Sequence, residues 1–123
     1  ASSLVGSEMC IRDRANADID SGQKISKKCA ACHGFEAGGA NKVGPNLYNI
    51  VNKEQGKADY AYSKTLASLS GKWTYEELNK FLYKPKLFYK GTKMNYAGLS
   101  KTKDRADLIA WLRTKSDSPV ALP

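Results

Sequence analysis

The chain of 123 residues has one histidine, two methionines, four prolines and three cysteines. Each scarcity excludes something. With His33 alone, a multi-histidine metal centre is impossible, and so is a catalytic histidine distinct from any ligand. No apolar run is long enough to cross a bilayer, since about 20 such residues are needed, and the mean hydropathy is −0.53. Arginine is scarce: of 20 Lys+Arg, 16 are lysine. Nucleic-acid recognition leans on the planar guanidinium fork, so no nucleic-acid partner is expected. The surplus of positive charge, +8 with a pI near 9.4, points instead to loose, salt-sensitive docking on acidic surfaces.

Within this spare inventory, Cys29-Ala30-Ala31-Cys32-His33 stands out. A Cys-x-x-Cys-His run reads as an attachment site for c-type haem. Thiols three positions apart share one face of a helical turn, and the adjacent imidazole can reach an iron between them. Structural zinc needs four protein ligands, whereas Cys29, Cys32, His33 and Cys10 supply four only if the remote Cys10 is recruited. A redox dithiol calls for a βαβ context, and no segment here shows convincing strand alternation. Haem is the reading these residues favour.

The chain around that run is expected to be all-α. Asp18 and Asp20 offer N-cap oxygens and negative charge for a helix over residues 20–29 or 20–32, with Gly22 either permitting close approach of a second helix or marking a fraying first turn. Residues 33–62 lose helical period and are punctuated by glycines, which predicts a long irregular loop; in a compact domain such a loop usually wraps something or serves function. A short helix is expected over residues 64–69. Thr74-Tyr75-Glu76-Glu77 has the pattern of a capping box, opening a helix that ends before Pro85. Residues 87–99 read as irregular, and a final helix spans residues 102–114 with Leu108, Trp111 and Leu112 as its buried stripe. One domain over residues 15–123 is expected. Residues 1–14 resemble the translated end of a DNA-library adaptor rather than a secretory leader, and are expected to lie outside the fold; a genuine polar tail is the alternative.

Taken together, Lys28 through His33, Gly44-Pro45-Asn46-Leu47, Tyr62-Ser63, Gly71 to Trp73, Gly91-Thr92-Lys93-Met94, Ala97-Gly98-Leu99 and Arg105 to Leu112 resemble a class I c-type cytochrome of the mitochondrial and alphaproteobacterial respiratory type. The resemblance implies a cytochrome c fold, four to five helices around one covalently bound haem c. It implies thioether links from Cys29 and Cys32, axial ligation of iron by His33 and Met94, and a Pro45 carbonyl accepting from the other nitrogen of His33. It further implies that Tyr62 and Trp73 donate to a haem propionate and that Asn46 and Phe81 line the pocket.

Three departures from the resembled pattern carry expectations. Ser26 replaces an aromatic, which should loosen the contact with Trp111. Asn52-Lys53 replaces a Gly-Arg pair, and Lys90 replaces a proline before the Met94 segment. By the same resemblance the protein would be a monomeric one-electron carrier, not an enzyme, shuttling between a quinol-oxidising cytochrome complex and a terminal cytochrome c oxidase. Lys28, Lys42, Lys86, Lys93 and Lys101 would steer docking, and the compartment would be the periplasm or the outer face of the bacterial inner membrane. Two other readings stay open: a peroxidase or small-ligand binder if Met94 leaves the iron readily, and a membrane-tethered or complex-bound haem module.

Overall fold

A computed structural model describes residues 17–53, 55, 71–89, 92, 94 and 96–116. Among them run four helices: α1 (Ile19–Ser26), α2 (Tyr75–Tyr83), α3 (Pro85–Phe88) and α4 (Thr102–Thr114). The helix expected over residues 64–69 lies outside the described residues. The architecture is the expected all-α one, with α1 and α2 each packed against α4.

Helix α1 begins where Asp18 accepts hydrogen bonds from the Asp20 and Ser21 backbone amides, satisfying donors that a helix start leaves orphaned. It stops at Ser26, earlier than expected. Beyond Ser26 the chain keeps coiling in tighter turns: the amides of Lys27, Lys28 and Cys29 bond to carbonyls three residues back. That tightening is how helix ends commonly close, and here it carries both cysteines into the turn rather than the helix proper.

The crossing of α1 with α4 depends on Gly22. A Cβ at that position would sit inside the van der Waals envelope of the Asp107 carbonyl and 2.8 Å from the Trp111 Cβ. The Asp18 amide also donates to the Asp107 carboxylate at 2.8 Å, and Lys103 pairs with the same group. Gly22→Ala is therefore expected to force the helices apart at a cost of roughly 3 kcal/mol, lowering Tm by on the order of 10 °C. Thermal denaturation followed by circular dichroism reads this directly; an unchanged Tm would mean the crossing is looser than it looks.

Helix α4 occupies the predicted residues but is buried nearly all round from Arg105 to Leu112, not along one stripe. Arg105 accounts for much of the difference. Its guanidinium is fully buried and donates to the Asn79 side chain of α2, to the carbonyls of Leu99 and Ser100, and to the Thr102 hydroxyl. Such a set of partners compensates the desolvation a buried cation otherwise suffers.

Pro85 does not simply end α2. It opens α3 at the first helical position, where its missing amide and fixed φ cost nothing, so the chain is helical over residues 85–88, the last two of which were expected to be irregular. The capping box of α2 is only half formed: the Thr74 hydroxyl accepts from the Glu77 amide, but the Thr74 amide bonds to the Lys72 carbonyl. The Glu77 carboxylate goes elsewhere, to the Tyr89 hydroxyl. Segments 52–55 and 71–73 are zipped together by three backbone hydrogen bonds. Asn52 enters this pairing at φ 69°, a left-handed conformation asparagine tolerates better than most side chains, which suits it to the place of a glycine.

Candidate functional site

Helices α2 and α4, the cysteine turn and the loop over residues 34–50 line an apolar cavity of about 280 Å³. Protein interiors rarely hold voids much larger than a water molecule, so a space this size, walled by Leu78, Phe81, Leu82, Leu108 and Leu112, is shaped for an occupant. Cys29, Cys32, His33 and Met94 all border it, although 61 positions separate the histidine from the methionine (94 − 33). Folding has brought two thiols, an imidazole and a thioether to one apolar chamber.

His33 is buried, and its Nδ1 lies 2.7 Å from the Pro45 carbonyl oxygen. A carbonyl can only accept, so Nδ1 carries the proton and Nε2 keeps its lone pair. Burial pushes the imidazole pKa down, partly opposed by the Pro45 bond, which favours the neutral, ligating form at neutral pH. Orientation by a hydrogen bond at the second nitrogen is the usual arrangement for a metal-binding histidine. Gly44 lies flat against the ring, so that a Cβ there would come within 2.9 Å of Nδ1 and 3.0 Å of Nε2.

Cys29 lacks the lowered pKa of a reactive dithiol. Burial, then the neighbouring Cys32, raises the Cys29 pKa, with Lys28 pulling the other way. Reactive dithiols have it lowered. Among the described residues no group of three or more His, Cys, Asp or Glu side chains could hold a metal ion. A group that brings its own iron and forms bonds to two sulfurs meets the chemistry of this donor set, and an apolar chamber suits a porphyrin.

The other predicted site residues are distributed as follows. Pro45, Trp73 and Phe81 border the cavity, with Trp73 and Phe81 in edge-to-face contact, centroids 5.1 Å apart. Asn46 does not border it: its side chain accepts from the Tyr48 amide and donates to the Glu36 carbonyl, so it ties the loop together instead of lining the pocket. A short side-chain amide in a loop bonds readily to nearby backbone groups. Tyr62 and Lys93 lie outside the described residues. Lys28 is exposed at the cavity wall, and Lys42 is exposed with its ammonium on the Ala30 carbonyl at 3.1 Å. Lys86 and Lys101 are exposed but not part of the wall.

Several residues the sequence did not single out take part. Phe35 borders the cavity and meets Trp111 edge-to-face, centroids 4.9 Å apart. It supplies the aromatic contact that Ser26 cannot, so the expected looseness at Trp111 is offset from the loop. Ser26 itself is buried and bonds back to the Gln23 carbonyl at 2.5 Å. Tyr96 and Thr92 also face the chamber. Phe35 was discoverable only through its position two residues past His33; nothing in its local pattern marks it.

Comparison with known proteins agrees with this geometry. The family model for cytochrome c matches residues 19–116. A cytochrome c homolog of Bradyrhizobium diazoefficiens is 44% identical over 109 residues, covering 87% of this chain and 59% of that protein. The homolog of Rickettsia bellii is 42% identical over 99 residues, 80% of this chain and 57% of its own length. Cytochrome c of Theileria parva is 45% identical over 100 residues, covering 80% of this chain and 87% of that one. In three dimensions the chain is similar to cytochrome cH from Methylobacterium extorquens, with TM-score 0.75 and 38% identity over 80% of this chain and all of that one. The chain belongs to the cytochrome c family, haem-based electron carriers, and its type is the class I, alphaproteobacterial one. Its cofactor is covalently bound haem c with iron. The chain spans 59% and 57% of the length of the Bradyrhizobium and Rickettsia homologs.

Proposed function

We propose that this chain is a respiratory one-electron shuttle whose haem would be held by thioethers at Cys29 and Cys32, with His33 and Met94 as the ligands to its iron. The carrying observation is that all four side chains border one apolar cavity. When bound, the haem supplies a reversible one-electron change at iron. The protein's part is to fix the His33 ring through Pro45, to place a thioether from Met94 on the same chamber, and to keep water away with Leu78, Phe81, Leu82 and Leu108. With His33 and Met94 both held to the iron by the fold, little would need to rearrange on a one-electron change, and His/Met ligation in a dry pocket would raise the potential. Trp73 donates to a propionate in this reading, and Tyr62 joins it.

Docking is proposed at the mouth of the cavity. Exposed Lys28 and exposed Val43 both border it, with exposed Lys42 next to Val43 in the chain, giving an apolar spot flanked by positive charge; Lys86, Lys93 and Lys101 are proposed to add to the docking charge. Acidic faces of a quinol-oxidising cytochrome complex and a terminal cytochrome c oxidase are the proposed partners, met by a monomer and released quickly at physiological salt. No helix among the described residues is long and apolar enough to cross a membrane. Attachment of c-type haem takes place outside the cytoplasm, which places the proposed site of action in the periplasm or on the outer face of the inner membrane. The proposed domain runs from residue 15, with residues 1–14 outside it.

Met94→Ala tests the carrier reading. The ferric wild type should show a weak long-wavelength iron–sulfur absorption band, absent in the variant, and the variant's reduction potential should fall by hundreds of millivolts, given that axial ligands set potentials over about 0.8 V. A wild type lacking the band but binding peroxide readily would be an open-site haem protein instead.

A further inference from the structure

Between α3 and Met94 the chain contains Gly91, and glycine places no intrinsic limit on backbone conformation. Something outside that segment must decide where the thioether goes. The structure offers one continuous set of hydrogen bonds. The Met94 amide donates to the Thr92 hydroxyl at 3.3 Å, and the Thr92 amide donates to the Tyr89 carbonyl at 3.2 Å. The Tyr89 hydroxyl then donates to the Glu77 carboxylate of α2. Gln55 adds a longer contact to the same hydroxyl, 3.4 Å.

We propose that Tyr89 is a positioning residue for the Met94 ligand: its hydroxyl, clamped by Glu77, anchors the stem of the loop to α2 and so keeps the thioether at the haem cavity. This rests on the reading of Met94 as axial ligand. Three features distinguish the clamp from ordinary packing. First, Glu77 stands at the capping-box position of α2, where its carboxylate would ordinarily serve the Thr74 amide; that amide is bonded to the Lys72 carbonyl and the carboxylate is given to Tyr89. Second, the ring is fixed in orientation, packed at 5.3 Å against Phe81 and 5.6 Å against Trp73, two residues that themselves wall the cavity. Third, burial, followed by the Glu77 bond and charge, keeps the phenol protonated far above its usual range, with Gln55 opposing weakly, so the donor persists at any working pH. A hydrogen bond to a carboxylate is among the stronger ones, and its loss frees the stem where the glycine cannot hold it.

The test uses the ferric holoprotein in four variants beside wild type. Wild type should show the long-wavelength iron–sulfur band and Met94→Ala should not; this arm examines the ligand reading by itself. Tyr89→Phe keeps the ring in its aromatic cluster and deletes only the hydroxyl. It is expected to lose the band on heating well before the helical circular-dichroism signal is lost, and to bind added imidazole at the iron about tenfold more tightly, the equivalent of one charge-assisted hydrogen bond. Glu77→Gln retains an acceptor oxygen but loses the charge, and should fall between wild type and Tyr89→Phe in both readouts; an effect as large as that of Val51→Ala on the helix signal would count against the clamp. Val51→Ala removes core packing away from the cavity wall, and should lower band and helix signal in step with no change in imidazole affinity. If Tyr89→Phe behaves like Val51→Ala, Tyr89 is a packing residue and the proposal is overturned while the ligand reading stands. If wild type lacks the band, both fall.

Discussion

Stripped of its porphyrin, the protein is expected to lose most of its helical circular-dichroism signal and its cooperative melting. The cavity explains the size of the effect. A void left in a core costs about 24 cal/mol per Å³; over 280 Å³ this comes to about 7 kcal/mol. A chain of 123 residues has a total stability of roughly 6–18 kcal/mol at 0.05–0.15 kcal/mol per residue, so the empty chamber consumes much or all of it. The cavity wall also includes Leu78, Phe81, Leu82, Leu108 and Leu112, side chains from both α2 and α4, so collapse cannot be confined to a loop. Far-UV spectra and thermal melts of the haem-free chain decide the matter. A sharp transition above 40 °C, within the usual range for folded domains of about 45–65 °C, would show that the helices support one another without the cofactor.

Gly44→Ala is expected to leave haem attached but to break its axial coordination. The thioether positions, Cys29 and Cys32, are untouched, whereas the added methyl would overlap the His33 ring, coming closest at Cε1 and within 2.9 Å of Nδ1. The ring has nowhere easy to go, because it is buried and Nδ1 is bonded to the Pro45 carbonyl at 2.7 Å. Moving it breaks that bond as well. Loss of a supporting hydrogen bond alone weakens metal binding about 10–100-fold, and the steric push adds to it, so a change at or beyond the upper end is expected. The ferric protein should pass from a low-spin to a high-spin spectrum while still carrying covalent haem on a denaturing gel. An unaltered low-spin spectrum would mean the loop over residues 41–45 gives way in place of the ring.

How much of this was readable in advance differs from residue to residue. Helix α4 lay where the predicted helix lay, because the spacing of Leu108, Trp111 and Leu112 is a local signal. The cysteine turn and His33 were legible for a different reason: a covalent cofactor demands fixed spacing, and fixed spacing survives in one dimension. Asn46 was misplaced because its residue type suits a polar pocket and a loop tie equally well; only the positions of the Glu36 carbonyl and Tyr48 amide choose between them. The Thr74 capping box was half right. Its first bond is between neighbours three residues apart, but the second depended on whether any better donor came near Glu77, and Tyr89 arrives from across a turn. Phe35 escaped notice because the aromatic partner of Trp111 was sought at Ser26, at helical spacing, while the loop brings one from 76 positions away (111 − 35).

The amino-acid sequence alone was enough to favour the cofactor, since two thiols and an imidazole in five consecutive residues, in a chain with no second histidine and no strand context, fit haem better than zinc or a redox dithiol. It was enough, too, for the helical class and the positive charge, which are sums over local composition. The tertiary structure decided what such sums cannot contain: that Met94 shares a chamber with His33, that Gly22 and Gly44 have no room for a methyl group, and that the carboxylate of Glu77 serves Tyr89. These are facts of proximity between distant parts of the chain. Proximity depends on how all the elements pack at once, so it is fixed only when the chain has folded.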